Sequence, residues 1–171
     1  MNTAVRQIVV VMGVAGSGKT TVGEMLADAL GCPFLEGDRL HSPENVEKMS
    51  RGVPLTDADR APWLSAIHAR MADACNRGEC LVVGCSALKQ SYRAVLAEGL
   101  PATWIYLKGS PELIQSRMLT RANHFMKAGM LASQFAALEE PSDAIVVDIS
   151  QPPDAIVERI LSRQRGASTL E

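Results

Sequence analysis

The sequence predicts an α/β fold in which a parallel sheet carries helices on both faces. Two observations point there. Four or five short apolar runs recur along the chain, and they are apolar at successive positions, as strands covered on both faces read. Segments with helical period lie between them, and strand then helix, repeated, indicates parallel strands joined by crossovers. The runs are QIVVVMG at 7–13, CPFLE at 32–36, CLVVG at 80–84, TWIYLKG at 103–109 and AIVVDIS at 144–150.

The helices follow from spacing and from their ends. Val22, Met25, Leu26 and Leu30 form one apolar stripe, ended by Gly31. Trp63, Ile67, Met71 and Ala74 form another before Gly78, and Ile156, Val157, Ile160 and Leu161 form the last. Ser42 before Pro43 and Ser110 before Pro111 each set a capping hydroxyl ahead of a proline at the first helical position. Thr56 caps a further helix whose first turn holds Asp57 and Asp59, where the helix dipole favours acids. Residues 121–141 are too long for a simple helix-to-strand connection and read as a lid inserted into the domain.

A chain of 171 residues with 47% hydrophobic content and no long polar tract predicts one domain over 1–171. A net charge of −2 lacks the basic excess that draws a protein to nucleic acid or to an anionic membrane, so neither is an expected partner and a small molecule is. No apolar run approaches the ~20 residues that span a bilayer. A cytoplasmic protein is expected, with Cys32, Cys75, Cys80 and Cys85 as reduced thiols and no zinc, since no CxxC pair occurs.

GVAGSGKT at 13–20 matches GxxxxGK[ST] between a predicted buried strand and an amphipathic helix. Gly13, Val14, Ala15, Gly16, Ser17 and Gly18 would curl so that backbone N–H groups face a phosphate chain, Lys19 would reach the β- and γ-phosphates, and Thr20 would hold Mg²⁺. ATP and Mg²⁺ are the expected cofactors. The motif leaves open whether the γ-phosphate goes to an acceptor, to water in a motor, or serves a switch. No NKxD segment reads guanine, and CLVVGCSAL closes with Gly84 and Cys85 where a motor would place its magnesium acid.

The missing acid then falls to EGDRLH at 36–41. Asp38, three residues past a strand end, is the candidate base for an acceptor hydroxyl and a candidate magnesium partner. Glu36 reads either as a magnesium partner or as a solvated strand-end carboxylate, His41 as a substrate contact or a loop cap, and Arg39 as a polar loop residue. Arg60 opposes the dipole in its helix's first turn and so suits an anion. Ser86, Lys89 and Arg93 follow the third strand at the crevice end, the two cations on one face of a helix starting near Ala87. Arg117 and Arg121 are four apart before the lid and read as dipole partners or as cations closing over the phosphates.

Together GVAGSGKT, FLEGDRLHSPENVEKMSRGVPLTDADRAPWL, CSALKQSYR, IYLKG and HFMKAGMLASQFAALEEP resemble the bacterial-type gluconokinase family, relatives of shikimate kinase and the nucleoside monophosphate kinases, over about residues 7–161. The resemblance implies a P-loop fold of nucleoside-monophosphate-kinase type with a five-stranded parallel sheet and a mobile lid, transfer from ATP to the 6-hydroxyl of D-gluconate, and a homodimer. It implies Asp38 as the base near Mg²⁺, Arg121 as the lid arginine on the phosphates, Arg60 on the acceptor carboxylate, and Arg117 stacked on adenine opposite Pro152 or Pro153. It also makes His41 and His124 acceptor contacts beside Ser86, Lys89 and Arg93. Two departures stand out: Asn123 replaces a glycine frequent before the lid histidine, and Thr20 replaces a frequent serine. Another hydroxy-acid kinase such as shikimate kinase, or a nucleotide-binding regulatory module, is the alternative.

Overall fold

The computed structural model describes residues 7–120 and 128–167. Its sheet has five strands, β1 (Ile8–Met12), β2 (Phe34–Glu36), β3 (Leu81–Gly84), β4 (Ala102–Lys108) and β5 (Ile145–Asp148), in the order β2-β3-β1-β4-β5 and with every pairing parallel. All five apolar runs of the sequence therefore become strands. β1 is buried at every position because it is central and covered on both faces.

The helices are α1 (Lys19–Leu30), α2 (Pro43–Ser50), α3 (Asp57–Asn76), α4 (Gln90–Leu96), α5 (Pro111–Thr120), α6 (Ala128–Ala137) and α7 (Pro153–Ala167), with a 3-10 turn at Gly37–Leu40. Residues of alternate parity on the strands build two cores. Val9, Val11, Ile105 and Leu107 meet Leu26 of α1, Ile114 of α5, Leu131 of α6 and Ile160 of α7 on one face. Ile8, Val10, Met12 and Tyr106 meet Trp63, Ile67 and Met71 of α3 and Leu96 of α4 on the other.

The helix ends are where their residues place them. Ser42 Oγ accepts from the Asn45 N–H, 3.2 Å away, and Ser110 Oγ accepts from the Leu113 N–H, also 3.2 Å away. Thr56 and Asp59 form a reciprocal capping box at α3, and Lys48 of α2 donates to Asp59 over 2.9 Å. That contact, with the Thr56 N–H behind it, holds the Asp59 carboxyl at about 2. It also fixes α2 against the start of α3, the turn that carries Arg60.

Two readings are corrected. α4 starts at Gln90, not near Ala87, because Glu139 reaches across the chain to accept the Gln90 N–H at 2.7 Å. Ala87 instead has φ 44°, a left-handed conformation uncommon outside glycine, in the loop before it. And the thiols are not all free: Cys32 and Cys80 form a disulfide, their Cα atoms 5.4 Å apart, because β2 and β3 are neighbours and both residues precede them. A separation of 48 residues gave no local pattern to read.

Candidate active site

The phosphate loop leaves β1 and turns into α1. Gly18 caps the helix with φ 96°, and no side chain occupies the cap. Gly16 has φ 77°, and a Cβ there would approach Met118 of α5 at 3.0 Å. Both positions need glycine, and what they create is an N-terminus open to an anion. Lys19 folds back to donate 2.9 Å to the Val14 carbonyl. Burial lowers its pKa while the Asp38 and Glu36 carboxylates raise it, so the ammonium stands partly desolvated beside two acids. The hydroxyl of Ser17 is buried without a partner among the described residues, a polar atom left for a ligand at the loop.

Glu36 is the acid that the end of β3 lacks. It pairs in register with Gly84, and a Cβ on Gly84 would lie 3.6 Å from its carboxylate. Its Oε2 accepts a hydrogen bond from the Thr20 hydroxyl. Hydroxyl and carboxylate oxygens are the hard donors that suit Mg²⁺, which takes one or two carboxylates and fills its shell with water and phosphate. Sequence reasoning left Glu36 open, and only the strand pairing between β2 and β3 puts it on Thr20.

Two hollows flank the loop. On one side, a groove of about 460 Å³ is lined by Gly16, Ser17, Gly18, Arg117, Pro152 and Pro153, among others, which brings together the arginine and prolines expected around a nucleotide base. The Arg117 guanidinium donates to the Ile149 carbonyl, which aims it along the end of β5. On the other side, a cavity of about 80 Å³ is lined by Lys19, Asp38, His41, Arg60, Trp63 and Ser86, with Ala15 of the loop and Met130, Ser133 and Gln134 of α6. Small-ligand sites usually exceed roughly 300 Å³. At about 80 Å³ the cavity is smaller than that, with Met130, Ser133 and Gln134 of α6 forming one of its walls.

Its polar groups are held from outside. Trp63 donates from Nε1 to the Gly37 carbonyl at 2.8 Å and stacks on the His41 ring, centroids 4.2 Å apart and planes 15° apart. Asn45, 5% exposed, donates from Nδ2 to the Asp59 carbonyl at 2.8 Å and faces His41 Nδ1 at 3.5 Å. Because that amide group only donates, it favours the tautomer with the proton on Nε2. Burial lowers the His41 pKa, with Arg60 acting the same way and Asp38 opposing. Arg60 donates from Nη1 to the Leu55 carbonyl and, over 3.3 Å, to the Tyr92 hydroxyl.

Lys89 and Arg93 lie apart from this cavity. Lys89 pairs with Asp57 at 3.0 Å, and the Tyr92 hydroxyl donates to the same carboxylate, which lowers the Asp57 pKa. Arg93 is 4% exposed and donates to the carbonyls of Ala87, Leu88 and Glu139 and to the Gln90 side chain. It fastens the loop that carries Ser86. Arg121, Asn123 and His124 lie outside the described residues.

The two hollows border the same glycine-rich loop, Gly16, Ser17 and Gly18 lining the groove and Ala15 and Lys19 lining the cavity. The shikimate kinase family model matches residues 15–165. The chain is 46% identical over 159 residues to a gluconokinase of Gluconobacter oxydans, covering 91% of this chain and 89% of that one. The chain belongs to the gluconokinase family. It is also 45% identical to the thermoresistant gluconokinase of Escherichia coli, over 88% of this chain and 89% of that one. The crystal structure of a gluconokinase from Sinorhizobium meliloti superposes with a TM-score of 0.87 at 46% identity, covering 97% and 96% of the two chains. Shikimate kinase from Aquifex aeolicus, at 18% identity and a TM-score of 0.62 over 96% of this chain and all of that one, shares the fold.

Proposed function

We propose that this chain transfers the γ-phosphoryl group of ATP to the 6-hydroxyl of D-gluconate. The observation that carries the reading is the junction at Lys19: one ammonium lines the acceptor cavity beside Asp38 and Arg60 and belongs to the loop bordering the nucleotide groove. The family membership names the acceptor.

In this reading Asp38 orients the 6-hydroxyl and takes its proton as the new P–O bond forms, while ADP departs. Lys19 neutralises charge on the transferring group, and Arg121 is its partner from beyond α5. His41 donates from Nε2 to a substrate hydroxyl, Ser86 meets another, and Arg60 holds the carboxylate. Arg117 and Pro152 clasp the base. Thr20 and Glu36 would hold Mg²⁺, with Asp38 near its water shell; bound there, the ion would draw negative charge off the phosphoryl oxygens. The cavity's carboxylate, imidazole, guanidinium, ammonium and hydroxyl groups fit a polyol acid, which offers hydroxyls and one carboxylate. The same reading takes the cytoplasm as the location, where ATP is made, and a homodimer as the assembly, which sedimentation tests.

The deciding experiment measures ADP formation with a panel of acids. A rise with gluconate alone supports the reading. A response to shikimate alone would replace gluconate by shikimate, and a rate that ignores every acceptor would leave a nucleotide-binding module.

A further inference from the structure

The phosphate loop's Ala15 N–H donates 2.7 Å to Gln134 Oε1 of α6. Backbone N–H groups in such a loop are the groups that cradle phosphate, and here one is held by a neutral side chain from another helix. Gln134 also lines the acceptor cavity beside Ser133 and Met130. One side chain thus touches both the loop and the space where the acceptor must sit. The start of α6 is anchored in the core by Met130 and Leu131, at 5% and 6% exposure, whereas further along Phe135 and Leu138 border a separate groove of about 490 Å³ at the ends of β4 and β5. The middle of α6 is therefore registered by a hydrogen bond to the loop as well as by packing.

We propose that Gln134 is a positioning residue for the transfer. Holding the Ala15 amide, it sets α6 across the junction of the two hollows and keeps water from competing with the acceptor hydroxyl for the phosphoryl group. In transfer the alcohol oxygen bonds to phosphorus, its proton passes to Asp38 and ADP leaves; in the competing reaction water supplies the oxygen and the products are ADP and inorganic phosphate. This inference rests on the gluconate-kinase reading.

The test uses Gln134→Met, which keeps length and loses the acceptor oxygen, and Gln134→Glu, which keeps an acceptor. In nucleotide-free protein, hydrogen exchange at the Ala15 amide is expected to quicken about tenfold in the Met variant, the scale of one hydrogen bond, and to stay slow in the Glu variant. With ATP, the Met variant's ratio of gluconate-independent hydrolysis to transfer is expected to rise about tenfold, on the same scale, with its unfolding midpoint within a few degrees of the parent. An unchanged ratio would overturn the proposal, as would an Ala15 amide equally exposed in the parent. If the Met variant does not fold, the Glu variant decides, because loss of Ala15 protection there would also overturn it. A parent enzyme that phosphorylates no sugar acid would sink the functional reading instead, and the exchange measurement would still stand.

Discussion

Replacing Arg93 by Met separates two roles that one residue type can fill. A substrate-binding cation would raise the Michaelis constant for the acceptor; a buried clamp would lower stability. Arg93 Nη1 donates to Ala87 O at 2.8 Å and Leu88 O at 3.1 Å, and Nη2 donates to Gln90 Oε1 at 3.0 Å and Glu139 O at 2.9 Å. After replacement, Leu88 O keeps the Glu139 N–H at 2.8 Å, and the exposed Gln90 side chain can turn to water. The Ala87 and Glu139 carbonyls lose this donor. At roughly 1–2 kcal/mol per carbonyl the loss is about 2–4 kcal/mol, reduced to the lower half because a methionine no longer bears the desolvation of a buried charge. That desolvation already lowers the guanidinium's pKa from its ordinary value. For a chain this long, 1 kcal/mol moves the unfolding midpoint by ~2–4 °C, so a fall of roughly 4–12 °C is expected. The assay is thermal unfolding together with steady-state kinetics below the transition. Because Arg93 does not line the acceptor cavity, the gluconate Michaelis constant is expected to change only a few-fold, through Ser86. An unchanged midpoint with that constant raised tenfold or more would refute the reasoning and return Arg93 to the substrate.

Replacing Asp38 by Asn is expected to cut turnover at least ~100-fold, the scale of a general base, while nucleotide affinity measured by titration calorimetry holds; near-normal turnover would remove Asp38 from the mechanism. His41 has a folded pKa below its ordinary 6.5, so its neutral form is the one the fold favours. Its contribution to stability is full above 6.5 and is lost as pH falls through the lowered folded value; urea unfolding against pH is expected to show this slope, and His41→Gln to flatten it. Under denaturing, non-reducing conditions a thiol reagent is expected to label two cysteines, Cys75 and Cys85, and a count of four would mean that Cys32 and Cys80 are not bonded. With the bond formed, reductant should lower the unfolding free energy by up to ~4 kcal/mol, the loop-entropy value for a 48-residue separation.

What the sequence disclosed and what it withheld divide by range. Strands, caps and the phosphate loop depend on neighbours a few residues apart, and all five apolar runs, the caps at Ser42, Thr56 and Ser110, and the glycine end of α1 at Gly31 are present in the structure. Asp38, His41, Arg60 and Ser86 converge on one cavity, and the motif order pointed to them. The misplacements all turn on partners remote in sequence. Lys89 and Arg93 share a helical face only if the helix starts near Ala87, and the sequence cannot show that Glu139 caps α4 at Gln90, three residues later. Asp57 looked complete as a dipole partner, yet Lys89 and Tyr92 hold it. Glu36 stayed ambiguous until the register of β2 on β3 set it beside Gly84 and within reach of Thr20.

The same remoteness explains how a helix laid across the site can be tied to both halves of the chemistry. Glu139, just past the end of α6, donates its N–H to Leu88 O at 2.8 Å, accepts the Gln90 N–H at 2.7 Å through its carboxylate, and accepts from Arg93 at 2.9 Å through its carbonyl. These bonds fasten the C-terminal side of α6 to the loop that carries Ser86, while Gln134, five residues earlier, fastens the helix to Ala15 of the phosphate loop. The buried Met130 and Leu131 hold the other end of the helix in the core, so α6 is fixed along its length by packing at its start, the Gln134 bond in its middle and the Glu139 bonds just past its end.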